Sequence, residues 1–484
     1  MNAKKYDVDL AQMKGKEKLI FAWGDVFGGG AQAMIGVLYL IFLTDVIGLN
    51  PAIAATAILI SKIWDAVSDP IMGVISDNTR TKIGRRRPFI MAGGFLVLIA
   101  FALMWLPIGG WESDAAKVVF AISTFLFYST ISTIIAVPYS SLSAEITTNV
   151  KERNQVNVIR LVVSTLASAV CTLVPAMILE VFKAGTIGIN TFYLVTGIGF
   201  GLFFALPLIL IGFFTRERVE LPKEKTVFEV NSFVKPLKVK AFRGLVYMYL
   251  CQSISMDILS AGIIYYSLYV VRGSATVFLG TFIGVQLLMF PIISKLVNTV
   301  DKKKIYYFGL PIAILGFIGV GLYPSDWSVI GAYALTAVTA FGFAGAQLMS
   351  WIIFPDAVDA GELKLKERPT GSFSGIMTFI RKTSSAIAIQ IFGIMLYISG
   401  YVKPTTTNQQ PVQPDNALLG IRIAMSLSFV ILMTIGYFAA RKFVLTNERS
   451  LKVRKFLKIR EETGLENLSV DDQMELMKLE SEIF

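Results

Sequence analysis

Residues 52–89 read AIAATAILISKIWDAVSDPIMGVISDNTRTKIGRRRPF, an apolar run that ends in a cluster of basic residues. A helix needs about 20 mainly apolar residues to cross the hydrocarbon core of a membrane. Residues 52–76 therefore predict a transmembrane helix. Basic residues collect on the cytoplasmic side of membrane proteins, so the cluster at 80–87 marks the inner end of this helix.

Similar apolar runs recur along the whole chain. Hydrophobic residues make up 54% of its 484 residues, against about 45–50% in an ordinary soluble protein. The chain is predicted to be an all-α polytopic membrane protein, because membrane β-strands would show alternating segments of about ten residues instead. Twelve transmembrane helices are predicted, at residues 19–47, 52–76, 89–110, 116–143, 157–182, 191–214, 243–271, 275–299, 305–323, 327–355, 371–399 and 418–441.

The basic residues predict the orientation. With a cytoplasmic N-terminus, the outer loops hold only Lys117, Lys183, Arg272 and Lys403, whereas the inner segments hold the clusters. Both termini are then cytoplasmic, in a multi-pass protein of the cytoplasmic membrane. The net charge of +11 is explained by these inner segments, and no nucleic-acid partner is expected because no nucleic-acid module is visible. No cleavable signal peptide is expected, since residues 1–18 are charged.

The sequence contains no histidine and only two cysteines, Cys171 and Cys251, both inside predicted spans. The lack of histidine excludes His-based triads, His metal sites and a His proton relay. The cysteines are interpreted as small buried apolar residues. We expect neither a cofactor nor an enzymatic activity.

A long polar segment divides the chain into two six-helix halves. The predicted parts are a cytoplasmic N-terminus (1–18), a first bundle (19–214), a central loop (215–242), a second bundle (243–441) and a cytoplasmic tail (442–484) that we expect to be solvated. The motif Lys-Glu-Arg follows span 4 at 151–153 and span 10 at 366–368. Repeated halves are typical of secondary transporters, whose binding sites lie near the membrane midplane between them.

Charged residues inside spans are costly and usually functional. Asp65 and Asp69 are four residues apart and share one helical face, with Ser68 beside them. Two carboxylates and a hydroxyl form a cluster of hard oxygen ligands that suits Na⁺, Li⁺ or H⁺. The alternative is an internal salt bridge with Lys62.

Other polar residues predict a substrate site and gates. Arg160 and Lys382 fall in corresponding helices of the two halves, next to Arg381, and are expected to bind hydroxyl pairs or carboxylates. The alternative for Arg160 is a structural ion pair with an aspartate. The other expected substrate contacts are Asp25, Tyr139, Gln347 and Thr378. Ion pairs that form in one state and break in another are expected to gate transport. Their expected members are Arg85, Asp77, Asp356, Asp359 and Glu362.

The stretch KIWDAVSDPIMGVISDNTRTKIGRRRPFI at 62–90 resembles the sequence pattern of the glycoside–pentoside–hexuronide:cation symporters of the major facilitator superfamily. The segments FAWGDVFGG (21–29), LTDVIGL (43–49), VPYSSLSAEIT (137–147) and DAVDAGELKLKERPTGSFSGIMTFIRK (356–382) are similar to it too. The resemblance covers nearly the whole chain outside the tail. It implies two pseudo-symmetric six-helix bundles and cation-coupled sugar symport.

The same resemblance implies a cation site at Asp65, Ser68, Asp69 and Thr133, and a sugar site that includes Arg160 and Lys382. The chain departs from the galactoside carriers of that family at three positions. Gly29 and Ala136 stand where those carriers have acids, and Ser140 stands where they have a stacking tryptophan. The loss of two acids predicts a more positive pocket, which favours a hexuronide, with a pentoside as the alternative.

Two further alternatives are a lysolipid transporter of the same superfamily and a polytopic membrane enzyme. The sequence does not support the alternative of a membrane enzyme, because no His/Cys metal cluster or nucleotide-binding loop is visible. The expected partners are a small-molecule sugar and the lipid bilayer, and the expected state is a functional monomer. The sequence is compatible with several sugars, and with either Na⁺ or H⁺ as the coupling ion.

Overall fold

The computed structural model describes residues 13–147, 150–218, 235–297, 299–365, 370–404, 411–462 and 469–483, and these residues form helices without any β-strand. They divide into two compact units, residues 1–228 with 396–414, and residues 229–395 with 415–484. Much of the predicted central loop, at 219–234, and the second Lys-Glu-Arg motif lie outside the described residues.

The first unit is built from eight helices and their short distorted ends. The helices are α1 (Gly15–Trp23), α2 (Asp25–Met34), α3 (Pro51–Asn78), α4 (Arg87–Met104), α5 (Asp114–Glu145), α6 (Val150–Lys183), α7 (Ile189–Tyr193) and α8 (Phe200–Phe214). Turns of π-helix at Ile35–Tyr39, Phe42–Val46 and Leu194–Gly199 extend α2 and join α7 to α8, and Ile108–Gly110 forms a 3₁₀ turn.

The second unit follows the same plan and carries two more helices at its end. Its helices are α9 (Lys240–Tyr265), α10 (Ala275–Leu296), α11 (Lys302–Phe308), α12 (Leu310–Leu322), α13 (Val329–Leu365), α14 (Thr370–Ile398), α15 (Asp415–Arg441), α16 (Asn447–Glu462) and α17 (Val470–Ile483). A 3₁₀ turn at Lys235–Lys238 precedes α9, and a π-turn at Tyr266–Val270 extends it.

Ten helices within the described residues are long and apolar enough to cross a membrane. The first two predicted spans do not meet that criterion. The first is interrupted at Gly24 and in its π-helical turns, and the second carries the charges of Lys62, Asp65 and Asp69. The total of twelve spans stays a prediction. Span 10 is longer than predicted, because α13 continues through Pro355 to Leu365.

Local sequence signals explain where several spans begin. The side chain of Asn50 accepts a hydrogen bond from the Ala52 N–H (3.0 Å), and Pro51 starts α3 with its fixed φ. The Ser113 hydroxyl accepts from the Ala116 N–H at the start of α5 (3.2 Å).

Many large apolar side chains on the outside of both units are exposed, as expected of helices that face lipid rather than water.

Close helix contacts fix the core of each unit. In the first unit α2 packs on α6, α3 on α5 and α4 on α8. A Cβ atom at Gly29 would lie 2.4 Å from Ser164 Oγ, so this glycine lets α2 and α6 approach. In the second unit α10 packs on α13 and α12 on α15, which repeats the pairing of spans 2 with 4 and 3 with 6.

The tail differs from the solvated segment that the sequence predicted. Val453, Phe456, Leu479 and Ile483 are buried, and α16 packs on α13 and on α17. These apolar residues lie at helical spacing within highly charged segments, so one narrow face of each helix packs and the rest is polar.

Candidate functional site

Two carboxylates and three hydroxyls meet where α3 packs against α5. Thr133 Oγ1 donates a hydrogen bond to Asp69 Oδ1 (2.7 Å) and lies 3.2 Å from Ser68 Oγ. One turn away, the Ser129 hydroxyl donates to Asp65 Oδ1. The structure therefore brings together all four residues of the predicted cation site and adds Ser129. Oxygen ligands of this kind suit hard cations.

Lys62 belongs to the same cluster. Its ammonium nitrogen lies 3.6 Å from Asp65 Oδ2 and 6.0 Å from the centre of the Phe125 ring. Lys62 and Asp65 are both buried, at 7% and 3% exposure, whereas Asp69 is only half-buried. The internal salt bridge considered for this lysine is present, and it involves the deeper of the two carboxylates.

A second cluster joins α2, α5 and α6. Arg160 Nε donates to Asp25 Oδ2 (2.6 Å), and Tyr139 donates its hydroxyl to the same oxygen (3.0 Å). The guanidinium carbon of Arg160 lies 4.5 Å from the centre of the Tyr139 ring and 5.4 Å from that of Phe21. Three of the predicted substrate residues are thus in contact, and Arg160 has the aspartate partner that was the alternative for it.

The second unit carries a corresponding pair. Arg381 binds Asp257 through two parallel hydrogen bonds, Nη1 to Oδ2 at 2.5 Å and Nη2 to Oδ1 at 2.9 Å. Lys382 follows it in α14 and is half-buried, while Thr378 one turn earlier is exposed. The Oε1 atom of Gln347 in α13 is buried and accepts no hydrogen bond from the described residues.

The predicted gating residues of the first unit lie in the last turn of α3 and just before α4. Asp77 Oδ1 accepts from Arg86, which also donates to Ser76 Oγ (2.5 Å). Arg85 is buried, and its backbone N–H donates to the Glu217 carboxylate (2.9 Å). Glu217 also accepts from the N–H groups of Arg86 and Arg87, so it caps the start of α4.

The predicted gating acids of α13 bind cations of the second unit. Asp356 accepts from Lys302 of α11 and from Arg454 Nη2 of α16 (2.7 Å). Arg454 Nε also lies 3.5 Å from Asp359 Oδ2. Glu362 Oε1 accepts from Arg460 Nη2 of α16 (2.5 Å). These acids therefore anchor the tail.

The two tail helices hold each other by exposed ion pairs. Hydrogen bonds from the Lys455 ammonium lower the pKa values of Asp472 and Glu475.

Near the first predicted span, burial would raise the pKa of Glu152, but hydrogen bonds from the Met13 N–H, Lys18 and Thr147 lower it by more. Neither contact involves a residue named as a site from sequence.

Several contacting residues were missed by sequence reasoning. Ser129 lies four residues before Thr133, so the helical period could have placed it on the same face. Lys302, Arg454 and Arg460 are remote in sequence from the acids that they bind. No periodic signal connects such residues.

The sequence pattern of a known family matches most of the chain. The family described as MFS/sugar transport protein matches residues 20–447. The chain belongs to this family. Members of the MFS/sugar transport protein family are transporters, so the chain is a multi-pass membrane transporter and not an enzyme.

Individual relatives of the chain include carriers of sugars and of lipids. A glucuronide carrier protein homolog of Escherichia coli (strain K12) is 26% identical over 422 residues, covering 84% of this chain and 87% of that protein. The sodium-dependent lysophosphatidylcholine symporter 1-B of Danio rerio is 24% identical over 490 residues, covering 93% and 91%. Both names describe carriers or symporters.

Solved structures agree on the fold. The inward-open xylose transporter XylE from E. coli is similar with a TM-score of 0.59 at 13% identity, covering 89% of this chain and 96% of that one. An identity this low shows the fold alone. The chain has the major facilitator fold, as predicted.

Proposed function

We propose that this chain couples the entry of a glycoside, pentoside or hexuronide to a Na⁺ or H⁺ gradient, by alternating access in the cell membrane with both termini cytoplasmic. The observation that carries the proposal is the cluster of Asp65 and Asp69 with the hydroxyls of Ser68, Ser129 and Thr133. Carboxylates inside a membrane span are costly unless they bind an ion or a partner.

The charges of this cluster suit a monovalent cation. Asp65, Asp69 and Lys62 together carry two negative charges and one positive charge, a sum of −1. One Na⁺ or one proton would neutralise that sum, whereas a divalent ion would reverse it. Thr133 donates its hydroxyl to Asp69, the more accessible carboxylate, and Ser68 Oγ lies 3.2 Å from Thr133 Oγ1. These hydroxyl oxygens would complete the coordination of Na⁺. Na⁺ or H⁺ would enter as a transported ion and leave on the other side.

The two Asp–Arg pairs support a substrate rich in oxygen. Arg160 with Asp25, and Arg381 with Asp257, each present donors and acceptors that hydroxyl groups of a sugar can bind. The Tyr139 and Phe21 rings are buried and pack beside the Arg160 guanidinium, which helps to fix its position. Because both arginines are paired with aspartates, neither adds an uncompensated positive charge, and a neutral glycoside or pentoside fits as well as a hexuronide.

Uptake into proteoliposomes tests the proposal. The purified protein should accumulate a labelled sugar against its gradient only when Na⁺ or H⁺ is more concentrated outside. A panel of glucuronides, xylosides and neutral disaccharides would identify the sugar by competition. Failure of every sugar, together with accumulation of lysophosphatidylcholine, would replace this function by the lipid transport that the Danio rerio relative suggests.

A further inference from the structure

A cavity of about 640 Å³ opens at one end of the first unit, away from the carboxylate cluster. It lies where α4 and α6 end and where α5 and α7 begin. Its lining includes three lysines, Lys117, Lys183 and Lys403, and one acid, Asp45. These lining charges sum to +2, from three positive and one negative. Five glycines, Gly48, Gly109, Gly110, Gly185 and Gly188, form much of the remaining wall.

This convergence contrasts with the charge distribution of the chain. The sequence predicts only four basic residues in outer loops, and three of them line this one cavity. Lysines on the outer side oppose the usual membrane asymmetry. Their collection around one opening therefore suggests a common ligand.

Two of the lysines have strong protein partners. Lys183 forms an ion pair with Asp45, and the side chains of both are almost fully buried. Asp45 also accepts hydrogen bonds from the hydroxyls of Tyr401 (2.7 Å) and Thr44 (2.8 Å). Lys403 donates to the carbonyl of Gly48 (2.6 Å), which holds its ammonium at the rim, and its ammonium lies 4.0 Å from Asp114 Oδ2.

Lys117 differs from these two. It is 8% exposed, yet the closest acceptor of its ammonium among the described residues is Asp114 Oδ1 at 3.6 Å. The Asp114 side chain is itself 69% exposed, so solvent weakens this ion pair. An ammonium carries three donors and binds oxyanions well. Lys117 thus presents a buried ammonium, with hydrogen-bond donors to spare, to this cavity. The three lysines exceed the two nearby acids, Asp45 and Asp114, by one charge.

We propose that this cavity binds an oxyanion, the carboxylate, sulfonate or phosphate group of a small solute or of a lipid headgroup. Lys117 is the principal cation of this site, and Lys403 contributes from the rim. A volume of 640 Å³ is within the range of about 300–1,000 Å³ for small-molecule sites, and it accommodates one sugar acid or one phospholipid headgroup. The site does not depend on the proposed transport, because its binding needs no ion gradient and no residue of the carboxylate cluster.

Differential lysine modification tests the site on the full-length purified protein. Sodium glucuronate, or sodium chloride at equal ionic strength, is added before brief acetylation, and mass spectrometry reports the extent of modification at Lys117 and at the exposed Lys16. We expect glucuronate to slow modification of Lys117 about tenfold at ten times its Kd, because protection follows 1 + [L]/Kd. Lys16 should react equally in both salts.

The same readout identifies the source of the anion. Protein in nanodiscs of phosphatidylglycerol is compared with protein in nanodiscs of phosphatidylcholine, without glucuronate. Protection of Lys117 by phosphatidylglycerol alone assigns the site to a lipid headgroup, and protection by glucuronate alone assigns it to a free sugar acid. In variants of Lys117 the protection is read at Lys403, which lines the same cavity. It should survive in Lys117→Arg and be lost in Lys117→Gln, with Lys16→Gln as the control for loss of one charge. Equal reactivity of Lys117 under all four conditions would overturn the proposal, whatever sugar or lipid is transported.

Discussion

Arg160 and Asp25 form an ion pair at 2.6 Å between α6 and α2, next to the Tyr139 ring. Arg381 and Asp257 form the corresponding pair between α14 and α9. The two pairs join spans 5 and 1 in the first unit and spans 11 and 7 in the second. Each unit therefore carries one Asp–Arg pair at equivalent helices, as expected if both units descend from the same six-helix repeat.

The first prediction concerns the Arg160–Asp25 pair. Asp25→Asn or Arg160→Gln should each destabilise the protein by about 3–5 kcal/mol, because one buried charge loses its partner. The double variant should cost less than the sum, because it leaves no unpaired charge. Thermal unfolding of the purified variants would measure these costs. Additive losses would mean that the two side chains do not stabilise each other.

The second prediction concerns the deeper carboxylate. Asp65→Asn should abolish gradient-driven accumulation of sugar while the protein stays folded and inserted, because the cluster loses the charge that attracts the cation. Asp326→Asn removes one exposed carboxylate from the chain and serves as the matched control. Uptake should be measured with saturating sugar and with imposed Na⁺ and pH gradients in turn. Normal accumulation by Asp65→Asn would remove this residue from the cation site.

The third prediction concerns Lys62, which competes with the cation for Asp65. Lys62→Gln should lower the cation concentration for half-maximal uptake about tenfold, equivalent to about 1.4 kcal/mol, because the internal counter-charge is gone. Release of the more tightly held ion should then slow turnover. The dependence of initial uptake on Na⁺ or H⁺ concentration measures both effects. A raised half-saturation concentration would show that Lys62 instead helps to hold the cation.

The sequence allowed much of this arrangement to be predicted, and the reasons are local. Asp65, Ser68 and Asp69 lie on one helix, so their spacing alone places them on one face. Thr133 came from a family resemblance, and its contact with Asp69 is seen only once α3 packs on α5. The docking of Arg454 on Asp356 connects residues 98 positions apart. Nothing in the local pattern of either segment specifies that contact, so the tail was wrongly expected to be solvated.

The fourth prediction concerns orientation, which rests on the positive-inside rule. Single cysteines at Lys403 and Asp326, both exposed, should react with an impermeant maleimide added to intact cells. Cysteines at Lys82 and Lys304, also exposed, should react only after the membrane is opened. Both native cysteines are buried and contribute little background. Labelling of Lys82 and Lys304 from outside would reverse the proposed topology.

The fifth prediction separates a structural role of the tail from a gating role. Asp356 is 3% exposed and lies between Lys302 and Arg454, and all three belong to the second unit. An ion pair inside one unit need not break when that unit moves as a body. These contacts are therefore expected to hold the tail on α13 rather than to open and close with transport, in contrast to the gating role predicted for Asp356 from sequence.

Arg454→Gln distinguishes these roles. The variant should lower the free energy of unfolding by about 1 kcal/mol, because Arg454 is half-exposed and Lys302 still neutralises Asp356. It should also make α16 and α17 more sensitive to limited proteolysis, while the half-saturation constants for sugar and cation stay unchanged. Lys458→Gln, an exposed change on the same helix, is the control. A different outcome would assign Arg454 to a gate: faster transport or altered cation affinity, with a tail as resistant to protease as that of the wild type. Only a contact that breaks during the transport cycle can change rates without loosening the tail.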